Sequence, residues 1–140
     1  MSFKQHEIDY MKRTELGRLA TVQRDGTPQA SPVGFEYNAE LGTIDIAGYN
    51  MSKSQKYRNI AVNPKVAFVV DDIASRNPWR VRCLEIRGNA EQATAPRATG
   101  AAGDALDAAI IRITPTRLIS FGIDDTETEP HQLKPDIRDV

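Results

Sequence analysis

Short extended segments punctuated by glycine and proline recur along this sequence, and they limit its fold more than any other feature. The strongest is Lys65-Val66-Ala67-Phe68-Val69-Val70, a nearly continuous apolar run of strand length that reads as a strand buried on both faces. Arg18 to Gln23 carries Leu19, Ala20, Thr21 and Val22 and meets the turn signal Arg24-Asp25-Gly26-Thr27-Pro28, which predicts a hairpin whose second arm is Gln29 to Tyr37. Pro32 and Gly34 interrupt that arm, since proline has no N–H to donate and glycine no side chain to pack. Backbone left open there suits either an edge bulge or contact with a flat heterocycle. Thr43 to Gly48 alternates apolar and polar until it reaches small residues, Ala47 among them, that leave room beside it.

After a polar loop from Asp71 to Pro78, Trp79 and Arg80 lead into a long extended segment, Val81 to Ala93. Leu84, Ile86, Gly88 and Ala90 fall on one face of it, and Cys83, Glu85, Arg87 and Asn89 on the other. Trp79 at this junction either packs an interface or covers a ligand ring. Pro96 to Ala109 reads as a short, weak helix or loop, and Ile111–Thr114 and Arg117–Ile123 are two further strands around Pro115. Helical periodicity is confined to Gln5–Glu15, with Ile8, Tyr10 and Met11, and to the residues after Asn50. The sum is a mainly β chain: an antiparallel barrel of about six strands with small flanking helices.

At 140 residues the sequence predicts a single domain over 1–140, divided into an N-terminal helix (1–16), the barrel (17–123) and a polar tail (124–140). The tail reads as loosely ordered or laid over a neighbouring subunit. A net charge of −1 argues against nucleic acid as a partner. Cys83 is alone, no leader-like apolar run follows Met1, and no segment approaches the roughly 20 apolar residues of a membrane span, so a cytoplasmic protein without membrane contact is expected. His6 and His131 have no partner ligands at metal-binding spacing, so no metal is expected. No nucleophile elbow, Ser-x-x-Lys, Rossmann or P-loop pattern is present, which leaves chemistry carried by a bound cofactor.

Asn50 to Pro64 is where such a cofactor would attach. Ser52 and Gln55 have capping-box spacing, so a helix is predicted to start at Ser52 with free N–H groups. Lys53 and Lys56 lie three apart on one side, Ser52 and Ser54 add hydroxyls, and Tyr57, Ile60 and Ala61 form an apolar stripe for docking. That combination suits a phosphate, and it equally suits an ordinary capped surface helix with solvated lysines.

The order Asp25-Gly26-Thr27-Pro28-Gln29-Ala30-Ser31-Pro32-Val33, then Ser54-Gln55-Lys56-Tyr57-Arg58-Asn59, then Asn63-Pro64 with Val66-Ala67-Phe68-Val69, resembles the pyridoxamine 5'-phosphate oxidase-like split-barrel superfamily. Asn77-Pro78-Trp79-Arg80, Glu85-Ile86-Arg87-Gly88 and Ile111-Arg112-Ile113-Thr114-Pro115-Thr116-Arg117-Leu118-Ile119-Ser120 resemble its actinobacterial branch that uses the deazaflavin coenzyme F420. The resemblance implies an oxidoreductase acting on a small molecule, as a homodimer with the cofactor at the subunit interface. It implies a ring along Ala30, Ser31, Pro32 and Val33 near Ala47, and a phosphate held by Ser54 and Lys56 with Lys53 close by. Trp79 and Arg80 would shape the substrate side or cover the cofactor from the partner chain.

FMN-using relatives follow the serine with Arg-Lys, whereas Gln55 stands here in the arginine's place. A phosphate dianion would lose a bidentate partner, while the singly charged phosphodiester of F420 is served by one lysine and helix N–H groups. Vitamin B6 oxidases also carry an Arg-x-His motif near the C-terminus, and Ser120–Val140 has none. F420 is therefore the expected cofactor, with FMN on the same barrel and a non-catalytic, cofactor-sequestering protein as the alternatives.

Overall fold

A computed structural model describes residues 3–95 and 108–140 of the chain. The helix or loop read over Pro96–Ala109 lies outside the described residues as far as 107. Two helices, α1 (Gln5–Lys12) and α2 (Gln55–Val62), accompany eight strands: β1 (Leu16–Val22), β2 (Pro28–Gly34), β3 (Glu36–Asn38), β4 (Thr43–Ile46), β5 (Lys65–Arg76), β6 (Trp79–Thr94), β7 (Ala109–Phe121) and β8 (Asp136–Asp139). All pairings are antiparallel in the order β2-β1-β5-β6-β7-β4-β3, with β8 also on β7.

That order dictates a barrel. The two outermost strands, β2 and β3, are separated in the chain by Phe35 alone, so the sheet curls until its edges lie side by side. Among the described residues no ladder joins those edges, and the barrel is split there. The expected mainly β, antiparallel split barrel is observed, with eight strands instead of six.

The difference in count has local causes. The arm expected over Gln29–Tyr37 breaks at Phe35, and its second part crosses to pair with β4. Asp71–Arg76, read as loop because it is polar, continues β5, since hairpin pairing with β6 satisfies its backbone and its polar side chains sit at the rim. The two pieces around Pro115 are one strand, in which Thr116 is the extra residue of a bulge opposite Arg87 and Gly88. A Cβ at Gly88 would lie 2.3 Å from the Thr114 carbonyl oxygen, so the bulge requires glycine. The tail is not loose within its own chain: β8 pairs with β7 from Arg117 to Ser120.

The interior is lined by Leu19, Phe68, Val70, Leu84, Ile86, Ile111, Ile113 and Leu118, all fully buried. β5 alternates, with Val66, Phe68 and Val70 inside and Ala67 and Val69 half-covered outside, so it is buried on one face and not both. A barrel has one interior; only another body could cover the other side.

Each end of the barrel is plugged by a helix. At α1, the Tyr10 hydroxyl donates to Asp72 Oδ1 (2.6 Å), and Asp72 is also held by the Arg82 guanidinium. Glu7 is fully buried, accepting from Ser120 Oγ (2.6 Å), Arg138 Nη2 (2.7 Å) and the Lys4 N–H (2.8 Å). Burial opposes ionisation of Glu7, but these donors outweigh it and hold its carboxyl below the usual range. The stabilisation is therefore present above the unfolded value of about 4.3 and is lost as pH falls through the lower folded value. Replacing Glu7 by Gln should cost about 2 kcal/mol at pH 7, discounted because Arg138 keeps Asp136 as a partner. It should also flatten the acid side of the melting-temperature profile; a variant with the wild-type melting curve at pH 7 and pH 4 would contradict this.

Candidate cofactor site

Beyond β4 the chain turns at Asn50, whose φ of 51° is left-handed, into a single 3-10 turn, Met51–Lys53, and only then into α2. The helix starts at Ser54, not at Ser52 as its spacing with Gln55 suggests. Ser54 Oγ accepts from the Tyr57 N–H (3.3 Å) and donates to the Met51 carbonyl (2.7 Å), so its hydroxyl proton already has an acceptor. The short turn ahead of the helix supplies that carbonyl, which is why the cap moves two residues on. Lys53 accordingly lies in the 3-10 turn and Lys56 in the first turn of α2, so they do not share one helical face.

Ile60 is buried and Tyr57 half-buried against the core, as the periodicity predicts, but Ala61 is exposed. The third inward position belongs to Asn59, 2% exposed, whose Nδ2 donates to Thr21 Oγ1 (3.0 Å) on β1 and Gln29 Oε1 (3.1 Å) on β2. Its Oδ1 accepts from Gln55 Nε2 (2.7 Å). Gln55 Oε1 in turn accepts from Arg58 Nη2 (2.8 Å), and Arg58 Nη1 reaches back to the Lys53 carbonyl (2.7 Å). The amide at position 55 thus works within the protein, and Arg58 places a guanidinium beside it, with Arg24 lining the same hollow as Gln55 and Asn59.

The electrostatics of this end are one-sided. From Ala47 to Val70 the chain has no acidic residue, but it carries Lys53, Lys56, Arg58 and Lys65. Neither Lys53 nor Lys56 makes an ion pair among the described residues. Helix geometry leaves the Gln55 and Lys56 N–H groups without intrahelical acceptors. Two backbone donors and two lysines without an ion pair suit an oxyanion.

Ala30, Ser31, Pro32 and Val33 lie on β2, in register with Ala20, Leu19, Arg18 and Gly17. Pro32 does not interrupt this ladder, which is continuous from Gly34 to Pro28. Among the described residues β2 is an edge strand, and its second side carries no partner strand. Val33 is buried, Ser31 half-buried, and Ala30 and Pro32 are exposed. Ala47 follows β4, half-buried, at the α2 end.

Trp79 and Arg80 sit at the other end of the barrel. Trp79 is 55% exposed at the start of β6, and Arg80 Nη2 donates to the Thr128 carbonyl (2.8 Å). Ala90, whose N–H bonds the Pro64 carbonyl just past α2, is eleven residues further along β6, roughly 36 Å at strand rise. Within one chain the structure ties the start of β2 to α2 through Gln29 and Asn59, and it separates Trp79 and Arg80 from them. Burial and the nearby Asp71 and Glu85 charges push the Cys83 thiol up to about 11, so it stays protonated and unreactive at neutral pH. Among the described residues no group of three or more His, Cys, Asp or Glu could hold a metal ion, and no helix is long and apolar enough to cross a membrane.

The profile of the pyridoxamine 5'-phosphate oxidase family matches residues 5–127. The chain belongs to that family. It is 43% identical over 134 residues to a 5a,11a-dehydrotetracycline/5a,11a-dehydrooxytetracycline reductase of Streptomyces rimosus, covering 94% of this chain and 92% of the relative. Among solved structures, an F420 reductase is 32% identical with a TM-score of 0.60, covering 79% of this chain and 93% of the other. A conserved hypothetical protein from Mycobacterium tuberculosis is 19% identical and shares the fold, with a TM-score of 0.69 over 92% of both chains. The chain is accordingly an oxidoreductase of the pyridoxamine 5'-phosphate oxidase family.

Sequence reasoning missed Asn59, Gln29 and Thr21 as a unit. The available signal was Asn59 itself, an amide at an inward position of a short helix between Tyr57 and Ile60. The cap makes a further point testable: Ser54→Ala should cost about 1 kcal/mol, a fall of about 3 °C in melting temperature. An unchanged melting temperature would contradict the assignment of Ser54 as the cap.

Proposed function

We propose that this chain is an F420-dependent reductase of an unsaturated small molecule, working as a homodimer. The observation that carries the reading is the α2 turn, where Lys56 and two helix N–H groups lack a carboxylate partner and the exposed Gln55 has its amide engaged by Asn59 and Arg58. That donor set matches a phosphodiester with one charge better than a terminal phosphate dianion. The similarity to an F420 reductase and to a reductase of dehydrotetracyclines supports the same reading and suggests a conjugated carbon–carbon double bond in the acceptor.

In this reading Lys56, with Lys53 alongside, holds the cofactor phosphate, and the open side of β2 from Ala30 to Val33 meets the ring beside Ala47. When bound, the deazaflavin supplies the hydride. The chain's own contribution is orientation and exclusion of water. Trp79 and Arg80 lie too far along β6 to reach the same ligand, so they would come from a second copy, whose presence would also cover Ala67 and Val69 on the outer face of β5. Mere sequestration is an outcome that the following experiment separates from this reading, and titration with FMN alongside F420 separates FMN binding.

Lys56→Ala should raise the F420 dissociation constant by about ten- to a hundredfold, the loss of one charge-assisted contact. The wild-type protein should oxidise reduced F420 in the presence of conjugated enones or quinones. An unchanged dissociation constant would remove the phosphate assignment, and tight binding without turnover across a broad acceptor panel would favour sequestration.

A further inference from the structure

The buried amide of Asn59 touches three separate pieces of chain. Both Nδ2 hydrogens are used, one on Thr21 of β1 (3.0 Å) and one on Gln29 of β2 (3.1 Å), and Oδ1 takes the Gln55 amide at the first residue of α2 (2.7 Å). Gln29 immediately precedes Ala30, and Gln55 immediately precedes Lys56. One side chain therefore joins the start of the strand assigned to the ring to the start of the helix assigned to the phosphate.

We infer that Asn59 is a positioning residue that fixes the spacing between the α2 turn and β2. A ligand touching both then meets two half-sites already set at the right separation. The inference rests on the cofactor reading above and deepens it. Packing alone would not need an amide here, because Ile60 and Tyr57 already dock α2 on the core. Hydrogen bonds are directional where apolar contacts are not, and three of them from one rigid group fix the relative placement of their partners. β2 gains most from this, since as an edge strand it is paired only with β1 and is otherwise free to shift. Gln55 acquires a role as well: it orients Asn59 and takes up Arg58, instead of meeting the anion.

A residue that sets spacing affects a two-point ligand and spares one-point ligands, because only the former draws on the preset separation. The test is titration of wild-type, Asn59→Leu and Gln29→Leu proteins, well below their unfolding temperatures, with F420, FMN, riboflavin and inorganic phosphate. In Asn59→Leu the affinity for the tighter-binding whole cofactor should fall about tenfold or more, while those for riboflavin and phosphate stay within about twofold. Gln29→Leu should show a smaller loss of the same kind, and the double variant should lose less than the sum of the two. Equal losses for whole cofactor and fragments, or no loss for the whole cofactor, would overturn the inference.

Amide hydrogen exchange on the same variants needs no cofactor. In Asn59→Leu the β2 amides bonded to β1 should exchange faster while those between β6 and β7 do not change, and unaltered β2 protection would overturn the clamp. Should Asn59→Leu fail to fold, Gln29→Leu carries both measurements, since it removes one of the three bonds. A wild-type protein that binds neither F420 nor FMN would refute the cofactor reading, and β2 exchange would then decide the clamp by itself.

Discussion

A polar side chain withdrawn from water must find its partners inside the protein, and Glu7 and Asn59 meet that requirement at opposite ends of the barrel. Glu7 on α1 is satisfied by Ser120 on β7, by Arg138 on β8 and by the Lys4 N–H. Asn59 on α2 is satisfied by Thr21 on β1, Gln29 on β2 and Gln55 on its own helix. Apolar packing would seat either helix in several nearly equivalent ways, whereas these bonds permit one. The plugs differ in what they organise. Glu7 ties the two ends of the chain together across 131 positions, and Asn59 ties the functional turn to the strand beside it.

Charge follows the same division. The α2 end has no carboxylate between Ala47 and Val70, while Asp124, Asp125, Glu127, Glu129 and Asp136 gather in the segment tied by Arg80 and Arg138 to the α1 end. A net charge near zero hides this polarity, because the two ends cancel in the sum. Locally it places an anion-attracting field where the helix N–H groups point.

Much of the fold was legible because barrel strands alternate with period two. Leu84, Ile86, Gly88 and Ala90 face inward as their spacing predicts, and Arg24–Pro28 forms the predicted hairpin turn, with Gly26 at φ 90°. The errors arose where long-range pairing overrode local composition. Asp71–Arg76 is rich in polar residues, yet it is a strand because residues 79–83 fold back to pair with it. β8 contains Asp136, Arg138 and Asp139, and it pairs because Arg138 reaches Glu7, a contact no local window can contain. At the site, the helix and its lysines were readable from capping and charge signals. The start of the helix shifted by two residues because Ser54 finds an acceptor in the Met51 carbonyl. Asn59 was not readable as a clamp, since its partners lie 38 and 30 residues away.

On the proposed reading the α2 turn, with one lysine in its first helical turn and its glutamine engaged by Asn59 and Arg58, holds a singly charged phosphodiester. Parallel equilibrium titration of the wild-type protein with F420 and FMN, followed by cofactor fluorescence, is the deciding measurement. F420 should bind at least about tenfold more tightly, the cost to FMN of a dianion lacking its second bidentate partner. FMN binding as tightly as F420, or more tightly, would contradict it and assign Arg58 or Lys53 the missing contact.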